Sequence, residues 1–141
     1  VQQLIEFAGN HAMLAIGFVG VILFLIWTEI SRYTRGYAEL TPAEAVRKIN
    51  AGKISIVDIS TTADFSKGNL ASAKHVALSR FSQPDPEIEA LKSSPVLLVC
   101  KNGQTANQAA VRLVKLGATD VAILKGGNTQ WKADQFPLVR K

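Results

Sequence analysis

The chain holds one cysteine and two histidines in 141 residues, and each scarcity removes a class of function. A single thiol precludes an internal disulfide and leaves no second cysteine to resolve an oxidised one within the chain. His11 and His75 stand too far apart in sequence to suggest a ligand cluster, so no metal is expected. Basic residues interleave with aromatics only at Arg32-Tyr33-Thr34-Arg35-Gly36-Tyr37. That segment is explained more simply as the flank of an apolar run, and nucleic acid is not an expected partner. No internal repeat or low-complexity tract is visible. The longest absence is of charge: from Phe7 through Thr28 there is none if His11 is neutral.

That gap is filled by AMLAIGFVGVILFLIW, long enough as a helix to cross a hydrocarbon core of about 30 Å. The expectation is one transmembrane helix over about residues 7–28, within an anchor of residues 1–28 that has membrane lipid as its partner. A cleaved signal peptide would want positive charge before the run, where only Glu6 is charged. A buried core helix would be unusually long without a polar position. Gly17 and Gly20 are not four apart, so no close-packing dimer motif arises. All 16 Lys and Arg residues follow the run, with Arg32 and Arg35 just beyond Trp27. Basic flanks are retained on the cytoplasmic side and tryptophan favours the interface. The expected location is therefore a single-pass protein of a bacterial inner membrane, N-terminus outside and soluble part cytoplasmic. Positive charge predominates in that soluble part and would favour anionic headgroups nearby.

Residues 29–38 read as a short tether, with a domain over 39–141. Thr41-Pro42-Ala43-Glu44 opens a helix with an N-cap threonine, a first-turn proline and a capping-box glutamate, and Gly52 stops it. SIVDI (55–59), VLLVC (96–100) and VAIL (121–124) are short apolar runs without alternation, as suits strands covered on both faces of a parallel sheet. A shorter strand is expected near Lys74 to Ala77, and Pro84, Asp85 and Pro86 introduce a helix ending near Leu91. From Gln104 to Leu116, Ala106, Ala109, Ala110, Leu113 and Leu116 share one face, with Gly117 as the stop. The resulting β-α-β succession defines an α/β fold, in which ligands bind beyond the carboxyl ends of strands. Asp58 and Cys100 stand at two such ends.

The turn CKNGQT brings a thiol to the start of a helix, where unpaired backbone N–H groups favour a thiolate. Gly103 allows a left-handed turn, and Lys101 adds positive charge. On these residues alone two readings stay open: a nucleophile in an anion-binding cradle, or a small core residue ending a strand.

The order LTPAEAVRKIN, IVDIS, DFSKGNLASAKHV, VLLVCKNGQTANQAAVRLVKLGATDVAILKGG and Trp131 resembles the rhodanese-like domain family from about Leu40 to Leu138, and the whole chain resembles its membrane-anchored single-domain members. The resemblance implies a small rhodanese-like domain, a central parallel sheet flanked by helices, behind one N-terminal transmembrane helix. It implies that Cys100 is catalytic and carries a transient persulfide with no other cofactor. Lys101, Asn102, Gly103, Gln104 and Thr105 would form the substrate-binding ring whose amides face the sulfur. Asp58 is a candidate for orienting the loop. The implied partner is a protein or another sulfur donor or acceptor.

Four positions depart from the family pattern. Thr105 stands where active members often close the loop with arginine, Ser60 where an arginine commonly follows the first strand's aspartate, and Asn69 and Ser72 where the GHI.GA signature has histidine and glycine. Two functions follow: a membrane-tethered sulfurtransferase or persulfide carrier with weak thiosulfate activity, or a non-catalytic module of the same fold that docks on a membrane or cytoplasmic protein. His75 reads as a packed or half-exposed residue and Trp131 as the packing anchor of the last helix.

Overall fold

A computed structural model describes residues 1–52 and 54–140. These divide into two compact units, Val1–Arg35 and Gly36–Lys141.

The first unit is helical. Helix α1 (Gln2–Asn10) and helix α2 (Ala12–Thr34) are separated at His11, whose φ of −127° and ψ of 53° break the ladder. The apolar run expected as one helix over 7–28 is thus divided near its start, and α2 continues six residues past Thr28. Helix α2 is long and apolar enough to cross a membrane, and none of its residues is buried.

The second unit is an α/β domain. Its strands are β1 (Ala38–Leu40), β2 (Ser55–Asp58), β3 (Lys74–His75), β4 (Val96–Val99) and β5 (Val121–Leu124), in the order β1-β5-β4-β2-β3. Every pairing is parallel. The residues read as a tether are therefore helical through Thr34 and in a strand from Ala38. Strand β1 has no apolar run to announce it, and its backbone is recruited by the exposed edge of β5.

Helices cover both faces, which is why the central strands are apolar without alternation. Helix α3 (Pro42–Ala51) starts with the full capping box of Thr41 and Glu44; these hydrogen bonds hold the Glu44 carboxyl below its ordinary pKa. Helix α4 (Thr62–Lys67) is capped by Thr61 and α5 (Pro86–Leu91) by Asp85, with a 3-10 turn at Leu78–Ser82 before it. Helix α6 (Gln104–Lys115) follows β4, and α7 (Gly127–Ala133) follows β5.

The period of two along β4 sorts the core. Val96 and Leu98 point to one face, where Ala106, Ala109, Ala110 and Leu113 of α6, Ile88 of α5 and Phe81 pack against them. Leu97 and Val99 point to the other, against Ala45, Leu70 and Trp131. Cys100 continues the Val96–Leu98 face. Trp131 is 6% exposed; its indole N–H donates to the Pro137 carbonyl at 2.9 Å and its ring lies 4.9 Å from that of Phe136. This contact holds α7 and the chain end together.

Candidate active site

Strands β2 and β4 are neighbours with Asp58 opposite Val99, so the two strand ends singled out in the sequence lie side by side. The loop after Cys100 turns on Gly103, whose φ of +89° is left-handed. A side chain there would meet the backbone nitrogen of Gly126 at 3.0 Å. The Gly103 N–H donates to Cys100 Sγ at 2.9 Å. The amide of Gln104, expected in the same ring, instead donates to Asn102 Oδ1 at 3.1 Å, an Asx-type turn that takes it away from the sulfur. Asn102 Oδ1 also lies 3.9 Å from the thiol.

Cys100 borders a cavity of about 600 Å³ lined also by Ser60, Asp64, His75, Lys101, Asn102 and Thr105. Only 1% of the residue is exposed. Lys101 does not offer an unpaired charge there, because its ammonium lies 3.6 Å from Asp64. A hydrogen bond from the Thr61 hydroxyl, with the charges of Lys101 and Lys67, holds the Asp64 carboxyl below its ordinary pKa. Among the described residues no arginine lines the cavity. His75 is half-buried, stacked 4.8 Å from Phe65 and bonded through Nε2 to the Ser60 carbonyl at 2.8 Å. Its ring holds the cavity wall.

Asp58 is wholly buried and does not reach the sulfur among the hydrogen bonds it makes. One carboxylate oxygen accepts the Ser60 N–H at 2.8 Å and the Ser60 hydroxyl, and the other accepts Asn128 Nδ2 at 3.1 Å. The carboxylate thereby ties the end of β2 to α7. Asn69, also buried, donates Nδ2 to the Phe65 carbonyl at 2.9 Å and pairs its backbone with Val139. Ser72 adopts φ of +66°, the left-handed backbone that suits the signature's glycine.

Sequence reading passed over Asn128 and Thr129. The Asn128 N–H donates to the Cys100 carbonyl at 2.9 Å, and the Thr129 N–H and hydroxyl donate to the Lys101 carbonyl at 3.0 and 2.8 Å. The only signal in the sequence is the pair Gly126-Gly127 just before them. Gly127 is where that turn meets the cysteine loop: a Cβ there would lie 2.1 Å from the Cys100 carbonyl oxygen.

A parallel sheet ending in a cysteine loop at a helix start, with a cavity above the sulfur, defines a rhodanese-type domain. The family model for the rhodanese-like domain matches residues 41–134, and the chain belongs to that family. It is 30% identical over 141 residues to the uncharacterized protein YibN of Escherichia coli K12, covering 99% of each chain. It is 31% identical over 96 residues, 68% of this chain and 85% of the other, to the thiosulfate sulfurtransferase GlpE of Stutzerimonas stutzeri. The crystal structure of a rhodanese-related protein from Thermoplasma volcanium aligns with a TM-score of 0.64 over 74% of this chain and all of that one, at 20% identity, a likeness of fold.

Proposed function

We propose that the chain is a membrane-tethered sulfurtransferase or persulfide carrier whose working atom is Cys100 Sγ. The observation that carries this reading is that Cys100 borders the cavity and its sulfur accepts the Gly103 N–H at 2.9 Å. A donor hydrogen bond to sulfur favours the thiolate over the thiol. The likeness to a thiosulfate sulfurtransferase supports the same chemistry.

In the first half-reaction Cys100–S⁻ attacks the outer sulfur of a donor; the donor's S–S bond breaks and its electron pair leaves with the inner sulfur. A donor persulfide RSS⁻ gives Cys100–S–S⁻ and RS⁻, and thiosulfate gives the same adduct and sulfite. A nucleophilic acceptor then takes the outer sulfur and returns the thiolate. The backbone amides of the loop stabilise the anion in both states. No other cofactor and no separate base enters the scheme. With Thr105 and Ser60 at the wall and Lys101 paired to Asp64, little holds a free oxyanion, so a persulfide on a protein partner suits the site better than thiosulfate.

Helix α2 would tether this domain to a bacterial inner membrane, with the N-terminus outside and the domain in the cytoplasm. Support comes from its length and apolarity and from Arg32 and Arg35 after Trp27. A docking module without turnover is the second reading, favoured by the 1% exposure of Cys100.

The test is the intact mass of the full chain in detergent after thiosulfate or a protein persulfide, with Cys100→Ser alongside. A cyanide-removable gain of one sulfur, absent in the variant, supports the carrier. No gain from either donor, in folded protein whose thiol resists alkylation, overturns it in favour of docking.

A further inference from the structure

We infer that Thr129, with Asn128, is a positioning residue for the Cys100 loop: it fixes which way the loop's peptide groups face and thereby how strongly the sulfur's charge is stabilised. The inference deepens the sulfur-transfer reading, resting on Cys100 as the working thiol. The described residues contain no cis peptide, and in a trans peptide the carbonyl and the following N–H point in opposite directions. The Cys100 carbonyl points to the Asn128 N–H, so the Lys101 N–H points away from α7. The Lys101 carbonyl is held by two donors of Thr129, so the Asn102 N–H points away as well. Two successive amide dipoles are thus locked with their positive ends off α7, toward the face of the sheet that Cys100 shares with Val96 and Leu98 and away from the face where Trp131 of α7 packs.

The clasp holds both peptides in this orientation. The approach is close enough that Gly127 admits no Cβ, and the Asn128 side chain is itself anchored to buried Asp58. The Thr129 hydroxyl is the one part of the clasp that a substitution removes without touching a backbone donor. Other ionisable groups around the thiol are Asp58 beneath the loop and Asp64, Lys101 and His75 around the cavity. All of these stay in place in a Thr129 variant.

The experiment is the iodoacetamide alkylation rate of Cys100 against pH, in the full chain in detergent, for the native protein, Thr129→Val and Thr129→Ser. One neutral hydrogen bond lost in Thr129→Val should slow alkylation near neutral pH by about two- to tenfold. Thr129→Ser should restore the native profile. Ile88→Val, in α5 on the face of the sheet away from Trp131 of α7, serves as a variant that loosens packing without touching the clasp. A profile for Thr129→Val that matches native protein, or one that Ile88→Val reproduces, overturns the inference. The sulfur-loading assay separates the two readings. A shifted profile in a protein that never accepts sulfur keeps the clasp and removes the transferase, whereas normal loading with an unshifted profile does the reverse.

Discussion

The two sides of the Cys100 loop are built by different rules. On the α7 side, backbone meets backbone: Gly127 against the Cys100 carbonyl, Asn128 and Thr129 against successive carbonyls, and Asp58 behind them. The cavity side is lined by Ser60, Asp64, His75, Lys101 and Thr105, and among the described residues Lys101 pairs there with Asp64. Steric contact leaves the first side almost no choice of residue. The second can change its residues without moving the loop, so a fold can keep its cysteine geometry while its donor changes.

The largest break in this contrast comes from Gly127→Ala. With left-handed φ and a Cβ inside the Cys100 carbonyl, it should cost about 2–5 kcal/mol. It should also abolish sulfur loading, as read by denaturant unfolding and intact mass. Next is Thr105→Arg on the open side. A new hydrogen bond to a charged oxyanion should raise thiosulfate use by about one to two decades, with loading from a protein persulfide little changed. Sulfite release measures the first. Equal gains with both donors would mean that Thr105 affects the sulfur itself and not donor recognition.

A smaller effect isolates backbone strain from contact. Ser72 has left-handed φ like Gly127 but is exposed. Ser72→Gly should stabilise by about 0.5–1 kcal/mol, the strain relieved less the added freedom of the unfolded chain. A much larger gain would show that φ, more than crowding, dominates at Gly127.

The smallest effect lies away from both sides, in the pairing of Arg80 with Asp85 and Glu87 at 2.7 Å. The arginine holds the Asp85 carboxyl below its usual value of 3.8, and Lys74 with Arg80 holds Glu87 below 4.5. Folded pKa values below unfolded ones stabilise above the unfolded values, and this contribution fades as pH falls through the folded ones. Arg80→Met should therefore lower Tm slightly at pH 7, with the difference shrinking below about pH 4. Thermal melts across that range check the sign.

The layers of the fold were legible because their signals are local. Val, Ile and Leu runs marked β2, β4 and β5, and Thr41 to Glu44 marked the start of α3. Strand β1 was not, since two of its three residues are exposed and β5 supplies its pairing. The break at His11 was passed over although Gly9 and Asn10 stand just before it, because uncharged residues continue through it without a proline. At the site, Cys100 and Gly103 were visible as a strand end and a glycine turn. The clasp was not, because Thr129 and Lys101 meet only after β5 brings α7 back to the loop. The pairing of Lys101 with Asp64 escaped for the same reason: α4 and the cysteine loop come together only in the folded sheet.

The seating of Trp131 gives the domain its own optical reporter. The chain has two tryptophans, and the other, Trp27, lies in α2. In a Trp27→Phe protein, the remaining emission comes from an indole packed on Phe136 and bonded to the Pro137 carbonyl, within the helix that clasps the cysteine loop. A red shift on adding a sulfur donor would then report, without any label, that α7 loosens as the loop takes up its charge.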